Sequence, residues 1–349
     1  MTTECRRKIS TLSLLFIALV AAAVSFSACT TPEKAKAQHI ARGEALLKDK
    51  KFQEAAFEFR SALQIDEKLA DAHWGLSKSY EGLQRYQEAF EEMRTVVELD
   101  PNNLDVRVKL GNYYLMGGKE SSAAVSEAER LAKEVLQKDA NHIEGHILMG
   151  SVLFAQNKKQ EAFAELNHAV ELDPKRVESY LSLARFHAMS GDTTTAEATY
   201  QRAISVSSNS AMAHYEYGKF LVQMSRVDDA EKEFELGVQV EPSNREARFV
   251  LASFYLVNKR YAKAEDAYKA LAELDKDSPQ GRSVLGDYYG ATGHLDEAIT
   301  IYKEVVTKSP DYSPAHYRLA ELMLNHGDIA NAKAEVDAIL KKDANDRQA

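Results

Sequence analysis

Alanine recurs along this chain at a fixed period, and this period constrains the fold more than any local motif does. Neighbouring members of the series lie 34 residues apart, with a single step of 39: they are Ala55, Ala89, Ala128, Ala162, Ala196, Ala230, Ala264, Ala298 and Ala332. The series divides the chain into nine contiguous repeats, the third of which is five residues longer: 36–69, 70–103, 104–142, 143–176, 177–210, 211–244, 245–278, 279–312 and 313–346. Because a period of roughly 20–50 residues is typical of stacked repeats, we expect a repeat architecture rather than a single globular core.

Two further places in the repeat, counted from its first residue and leaving out the five extra residues, indicate how the repeats pack. Place eight is small in every copy: Gly43, Ser77, Gly111, Gly150, Ala184, Gly218, Ala252, Gly286 and Ala320. Place twenty-four is bulky in all copies but the third: Phe59, Met93, Leu166, Tyr200, Phe234, Tyr268, Tyr302 and Val336. Small side chains let two antiparallel helices approach to the short end of the usual spacing of about 8–10 Å, and bulky ones fill the remaining space. The pattern therefore predicts a pair of helices in each repeat.

Glycine and proline mark the ends of these predicted helices. Glycines stand between the two helices of four repeats: Gly117–Gly118, Gly191–Asp192, Gly293 and Gly327–Asp328. A glycine with positive φ at such a place ends the first helix. Prolines stand near the ends of four repeats: Pro101, Pro174, Pro242 and Pro310. Because proline cannot continue a helix, we expect the second helices to end there.

The repeated sequence resembles the tetratricopeptide repeat (TPR). Both helices carry the resemblance: LGNYY at 110–114 and LGDYY at 285–289 in the first helix, and EAF at 88–90, EAF at 161–163 and EAI at 297–299 in the second. The resemblance covers residues 36–346 and leaves 347–349 as a tail. It implies an all-α fold, a right-handed superhelical solenoid of about nine helix-turn-helix units.

The resemblance also implies where a partner binds. In TPR proteins, places two, five, nine and twelve of the first helix line a concave face that holds a protein or peptide. Carried over to this chain, these places give a candidate partner-binding groove: Trp74, Lys78, Val108, Asn112, Ile147, Phe154, Leu181, Arg185, Tyr215, Lys219, Phe249 and Tyr317. Aromatic side chains in a rigid groove are good anchors for a partner. Apolar residues at helical spacing are, however, also typical of a core.

The beginning of the chain has the pattern of a secretory signal. Basic residues at 6–8 precede an apolar run at 14–24 and then small residues. The sequence FSAC, which ends at Cys29, resembles a lipobox, in which the cysteine becomes the lipidated N-terminus after removal of residues 1–28. We therefore expect a lipid anchor at Cys29, a short tether over 29–35, and an outer-membrane lipoprotein facing the periplasm. The alternatives are a plain cleaved leader, which would give a secreted or soluble periplasmic protein, and an uncleaved anchor.

Charge and motifs argue against an enzyme and against a nucleic-acid partner. The net charge is −9, whereas binding to phosphates needs a basic surface. The chain contains no GxSxG, P-loop or GxGxxG sequence. Five histidines share place four of their repeats, which favours packing over a metal site: His39, His73, His146, His214 and His316. We therefore predict a protein that is not an enzyme and has neither cofactor nor metal.

These features together indicate an interaction protein of the cell envelope. Our interpretation is a non-catalytic protein–protein interaction scaffold, a membrane-anchored TPR lipoprotein that supports assembly of a bacterial export or envelope complex. Two alternatives stay open on the sequence. One is a pilotin or assembly factor of a pilus or secretion machine. The other is the regulatory arm of an enzyme whose catalytic part lies beyond Ala349.

Overall fold

The computed structural model describes residues 31–118, 121–342 and 346, and these form helices without any strand. Eighteen helices follow one another in this part of the chain: α1 (Pro32–Lys48), α2 (Phe52–Ile65), α3 (Ala70–Gly82), α4 (Tyr86–Leu99), α5 (Leu104–Gly118), α6 (Ser122–Lys138), α7 (Ile143–Ala155), α8 (Lys159–Leu172), α9 (Val177–Ser190), α10 (Thr193–Val206), α11 (Ala211–Gln223), α12 (Val227–Val240), α13 (Arg245–Val257), α14 (Tyr261–Leu274), α15 (Pro279–Thr292), α16 (Leu295–Lys308), α17 (Ser313–Asn325) and α18 (Ile329–Lys342). Odd-numbered helices are the first helices of the repeats and even-numbered helices are the second. The expectation of an all-α fold is confirmed.

The chain divides into two compact units between Glu165 and Leu166, inside α8. In each unit the helices of a repeat pack as a hairpin, as α1 does with α2 and α11 with α12. First helices of successive repeats also touch, such as α1 and α3 in the first unit and α9, α11 and α13 in the second. Buried apolar side chains form two core clusters in each unit. Each compact unit is therefore a stack of helix hairpins with its core between them.

Small residues make the close helix contacts possible. All nine alanines of the periodic series are buried, with at most 1% of their surface exposed. A Cβ added to Gly218 would lie 2.6 Å from the ring of Phe234, and one added to Gly286 would lie 2.7 Å from the ring of Tyr302. Both rings come from place twenty-four of the same repeat. The predicted packing of bulky against small residues within a hairpin is confirmed.

The turn inside the hairpin has one backbone conformation in eight of the nine repeats. Among the described residues, place fifteen has positive φ in all repeats but the third: Lys50, Gln84, Asn157, Gly191, Ser225, Lys259, Gly293 and Gly327. Five of these are not glycine, although a left-handed conformation costs a residue with a Cβ about 1–2 kcal/mol. The turn predicted at Gly117–Gly118 is wrong, because both glycines belong to α5. The extra residues of the third repeat thus lengthen its helices.

The first helix begins earlier than the predicted boundary at residue 36. Since α1 starts at Pro32, residues 32–35 of the predicted tether are helical. The Thr31 hydroxyl accepts a hydrogen bond from the backbone N–H of Lys34 at 3.4 Å, and proline in the first turn has no N–H to leave unpaired. Three other predicted features lie outside the described residues: the signal peptide 1–28, the lipidation site Cys29 and the tail 347–349.

A histidine–glutamate contact joins the two helices of five repeats. Nδ1 of the place-four histidine lies 2.5–2.7 Å from a carboxylate oxygen 19 residues later: His39–Glu58, His73–Glu92, His146–Glu165, His214–Glu233 and His316–Glu335. The four repeats without this histidine have no glutamate at the equivalent second place. The joint occurrence of histidine at place four and glutamate 19 residues later therefore indicates this pair in the sequence, whereas the histidine alone does not.

In three repeats the same histidine also binds the end of the preceding repeat. His73 Nε2 lies 3.0 Å from the carbonyl oxygen of Glu67, and His146 and His316 make the equivalent contact six residues back. At His73 both ring nitrogens thus face oxygens that accept hydrogen bonds, which favours the imidazolium form of this residue. The hydrogen bond to Glu92 raises the pKa of His73, and burial opposes this rise without cancelling it.

We predict that Gly286→Ala lowers the free energy of unfolding by about 1–3 kcal/mol. The added methyl group would overlap the Tyr302 ring, whose hydroxyl donates to Asp287 at 2.7 Å and so holds the ring in place. Gly117→Ala is the matched control, because a Cβ there meets nothing within 4 Å and alanine favours a helix. Denaturant titration followed by circular dichroism measures both. A Gly286→Ala variant as stable as the wild type would contradict the packing described above.

We predict that the stability lost in His73→Gln depends on pH. Because the pKa of His73 is raised in the folded state, its contribution is fully present below the ordinary histidine pKa and is lost as the pH rises through the raised value. The loss is expected to be about 1.5–3 kcal/mol at about pH 5.5 and smaller at about pH 9. Denaturant titrations at both pH values measure it. The half-exposed His168 provides the control variant His168→Gln, and an equal loss at both pH values for His73→Gln would refute the charged pair.

Candidate partner-binding surface

Two neighbouring cavities lie on the first helices of the second compact unit. The first encloses about 320 Å³ between α9, α11 and the start of α13. The second encloses about 430 Å³ between α9, α10 and α11. Arg185 and Glu216 line both cavities, so the two are adjacent, and we refer to them together as the groove. Four of the predicted groove residues line it: Leu181, Arg185, Tyr215 and Lys219.

The first cavity combines apolar walls with a polar rim. Leu181 is buried and the Tyr215 ring is half-buried, whereas Met212 exposes 53% of its surface. Glu178 and Glu246 add carboxylates at the edge. Mostly apolar cavities with a few polar groups are typical of sites that hold a side chain or small ligand in one orientation.

Tyr215 and Lys219 form a pair one turn apart on α11. Lys219 Nζ lies 4.8 Å from the centre of the Tyr215 ring, which is within cation–π range. The same ammonium lies 3.2 Å from the Glu216 carboxylate. Desolvation lowers the pKa of Lys219, but the charge and hydrogen bond of Glu216 outweigh it, so that the pKa is raised. Lys219 therefore stays charged, and its contacts hold this wall of the groove in place.

Arg185 and Phe249 are two predicted groove residues whose side chains are exposed. Arg185 is exposed and forms no hydrogen bond or ion pair with any described residue. Phe249, on α13, exposes 47% of its surface. Arginine and aromatic side chains are common anchors of protein interfaces. Both side chains are therefore available to a partner.

The first compact unit presents a different cluster, centred on the partly buried Trp74. Lys78 Nζ lies 4.8 Å and Lys109 Nζ 5.3 Å from the centre of the indole ring. Lys109 also pairs with Glu81 at 2.5 Å, while Lys78 has no ion pair within the described ranges. Desolvation and then the nearby Lys109 lower the pKa of Lys78. The indole thus lies close to two cations, of which only one has a carboxylate partner.

Other predicted groove residues are placed differently. Val108 is only 7% exposed and belongs to the core cluster that contains Leu148, so little of its side chain is accessible to a partner. The reason is that α5 packs against α7, which covers this place. The remaining residues vary in exposure: Asn112 is exposed, Ile147 and Phe154 are half-buried, and the half-buried Tyr317 donates a hydrogen bond to Asp346.

The groove also contains residues that the sequence did not assign to it, among them Met189, Tyr200, Met212, Glu216 and Gln223. Met212 stands at place two, which the family pattern assigns to the concave face, so that this residue could have been found. Tyr200 stands at the bulky place twenty-four, which predicted a core residue. Its ring is indeed buried, but it also lines the second cavity.

Neither a metal cluster nor a membrane span occurs in the part of the chain that the structure describes. There, no three His, Cys, Asp or Glu side chains are grouped so that they could hold a metal ion. No helix among these residues combines the length and the apolar character needed to cross a bilayer. The place-four histidines use their ring nitrogens for the hydrogen bonds to glutamate described above.

Comparison with protein families gives matches along most of the repeats. Tetratricopeptide repeat models match residues 70–103, 143–176 and 291–349. Residues 180–286 match the model of the cilia and flagella-associated protein 70 middle TPR-like domain. The two shortest matches have the bounds of the second and fourth repeats of the alanine series.

Curated relatives are similar to this chain over a limited length. Human protein O-mannosyl-transferase TMTC3 is 26% identical over 159 residues, which are 42% of this chain and 17% of that protein. The peroxisomal targeting signal receptor of Komagataella phaffii is 27% identical over 124 residues, which are 36% of this chain and 20% of the receptor. The chain thus spans about a fifth of the length of these relatives.

Solved structures of TPR proteins are among those similar to this chain. A thermophilic TPR protein of Thermus thermophilus, TTC0263, is 17% identical, with a TM-score of 0.45, over 54% of this chain and 99% of that protein. YrrB, described as a TPR protein with an unusual peptide-binding site, is 19% identical, with a TM-score of 0.37, over 52% of this chain and 94% of YrrB. The periodic helix hairpins, their small and bulky places and the three repeat-model matches identify the chain as a tetratricopeptide repeat protein, whose all-α repeats serve as a protein–protein interaction scaffold.

Proposed function

We propose that this protein is a non-catalytic scaffold that holds a segment of another protein on the first helices of its repeats and is anchored in the bacterial cell envelope as an outer-membrane lipoprotein facing the periplasm. The observation that carries the proposal is the groove of the second compact unit. It combines two cavities with Arg185, which has no ion pair with any described residue. The exposed Phe249 lies on α13, a helix that borders the groove. Such a scaffold would support assembly of an export or envelope complex.

A partner segment, rather than a small metabolite, fits the extent of this surface. The groove runs over three successive first helices and continues from one cavity into the next. An extended or helical segment can place successive side chains into such neighbouring sites. The yeast relatives are, by name, receptors for a targeting signal, which supports the choice of a peptide segment for this chain too.

The envelope location is supported by the sequence before the first helix. The apolar run followed by FSAC gives a candidate lipid anchor at Cys29, three residues before Pro32, where α1 begins. Three extended residues span at most about 10 Å. An anchored chain would therefore hold its first repeat close to the membrane surface.

We predict that Phe249→Ala and Tyr215→Ala weaken capture of the partner, each by about 2 kcal/mol if these rings are interface anchors. Partners retained by the detergent-solubilised full chain would be identified by mass spectrometry, and the purified partner would then be titrated against each variant. Tyr261→Ala is the control, since Tyr261 is 51% exposed on the second helix α14 and lines neither cavity. Melting temperatures would show that the variants fold. If both Phe249→Ala and Tyr215→Ala bind the partner with unchanged affinity, the assignment of the groove as the partner-binding site is wrong.

We predict that Cys29→Ser abolishes lipid attachment and releases the protein from the membrane fraction, because only this thiol follows the expected cleavage point. Metabolic labelling with a fatty acid and fractionation of membranes measure both effects. Cys5→Ser provides the control, since Cys5 lies in the leader and is removed with it. Fatty-acid labelling that persists in Cys29→Ser would exclude a lipid anchor at Cys29. It would not bear on the assignment of the groove.

A further inference from the structure

The second cavity is lined by a tyrosine whose hydroxyl the fold does not use. Tyr200 is 3% exposed, and its ring packs against Tyr217 and Phe220 with centroid distances of 5.9 Å and 5.2 Å. The hydroxyl forms no hydrogen bond with any residue that the structure describes. The ring is buried, but the hydroxyl oxygen keeps some accessible surface, so a ligand in the cavity can reach it. Burial raises the pKa of Tyr200 to about 12, so the hydroxyl stays protonated and can donate.

Cationic and polar donors outnumber acceptors around this hydroxyl. Arg185 lines the cavity with a guanidinium that has no ion pair within residues 31–118, 121–342 and 346. The amide of Gln223 lines it as well. The single carboxylate of the lining, Glu216, is already in contact with Lys219 at 3.2 Å. The cavity therefore contains donors without an internal partner, and its one carboxylate is already shared with Lys219.

We propose that the second cavity binds a carboxylate side chain of the partner, and that the first cavity holds an apolar side chain of the same segment. This inference rests on the proposed scaffold function and names the chemistry of the segment held. Arg185 supplies the charge, and its planar group can donate two parallel hydrogen bonds to a carboxylate. Tyr200 donates a further one. Because Arg185 lines both cavities, the acidic and apolar side chains lie close together in the partner.

The apolar half of the site follows from the lining of the first cavity. Leu181, Met212 and Tyr215 present apolar surface there, and methionine adapts its shape to different side chains. The glutamates at its edge disfavour a second acidic group in this position by repulsion. The groove thus selects a segment in which one acidic and one apolar residue are near neighbours.

The experiment uses the full-length protein and fluorescein-labelled peptides with capped ends. Each peptide carries one glutamate and one leucine at a defined spacing in a glycine–serine background, and matched peptides carry glutamine for glutamate or alanine for leucine. Fluorescence anisotropy measures the dissociation constants. At one spacing or more, we expect the glutamate peptide to bind at least about tenfold more tightly than its glutamine counterpart. A further peptide has a free C-terminal carboxylate in place of the glutamate side chain and tests whether the cavity binds a chain end. Tighter binding of this peptide than of the glutamate peptide would overturn the assignment to a side chain.

Variants connect this preference to the cavity. Arg185→Gln is expected to remove the discrimination between glutamate and glutamine peptides, whereas Arg202→Gln, which changes an exposed arginine of α10 outside both cavities, keeps it. Tyr200→Phe removes only the hydroxyl, so it is expected to weaken glutamate binding about fivefold, as lost hydrogen bonds do. Its melting temperature should not fall, because no internal hydrogen bond is lost. Discrimination that survives Arg185→Gln, or is absent at every spacing, overturns the proposal.

The outcome also separates this inference from the scaffold function. If Phe249→Ala weakens capture of the cellular partner while Arg185→Gln leaves both capture and peptide binding unchanged, the scaffold stands and the carboxylate site is wrong. If neither Phe249→Ala nor Tyr215→Ala affects capture, the scaffold assignment of this groove fails. Glutamate-dependent peptide binding that Arg185→Gln abolishes would still establish the carboxylate site in that case.

Discussion

The close approach of the two helices in each hairpin is the constraint on which the rest of the structure depends. The periodic alanines are fully buried where the helices meet, and Gly218 and Gly286 leave room for the rings of Phe234 and Tyr302. Because the bulky side chain fills the space beside the small one, each hairpin is close to solid packing. The same contact recurs along both compact units, so stability accumulates from neighbouring hairpins rather than from one central core.

Polar contacts add to this packing by joining each of several first helices to its own second helix and to the end of the preceding repeat. The imidazolium of His73 joins a carbonyl of the preceding repeat to Glu92 of its own second helix, and the same arrangement recurs in other repeats. Other repeats use different side chains at place four for the contact with the preceding carbonyl, such as Tyr180, which donates to the Pro174 carbonyl. A charged hydrogen bond in this position orients successive hairpins more sharply than apolar contact does, since it depends on direction as well as distance.

The proposed binding groove lies where this regular packing leaves side chains without internal partners. In most places the charged residues of the first helices are paired, as Lys109 is with Glu81 and Lys219 with Glu216. Arg185 and the Tyr200 hydroxyl have no such partner among the described residues, and they line the same cavity. Donors that line a cavity without an internal partner can bind a ligand without breaking a contact of the fold, which is why this groove favours an acidic partner more strongly than the surface around Trp74 does.

The sequence by itself determined the repeat, its helix pairs and its small and bulky places, because a period of identical residue types records the same contact many times. It also pointed to the first helices, and two of the residues that it singled out there, Arg185 and Tyr215, line a cavity. Only the tertiary structure decided which of these side chains stay accessible. Val108 shares place five with Tyr215, yet it is buried while Tyr215 lines a cavity. Tyr200 has the sequence pattern of a core residue, but it borders a cavity. Exposure depends on how closely one first helix packs on the next, and that distance is set by many side chains together rather than by the residue type at one place.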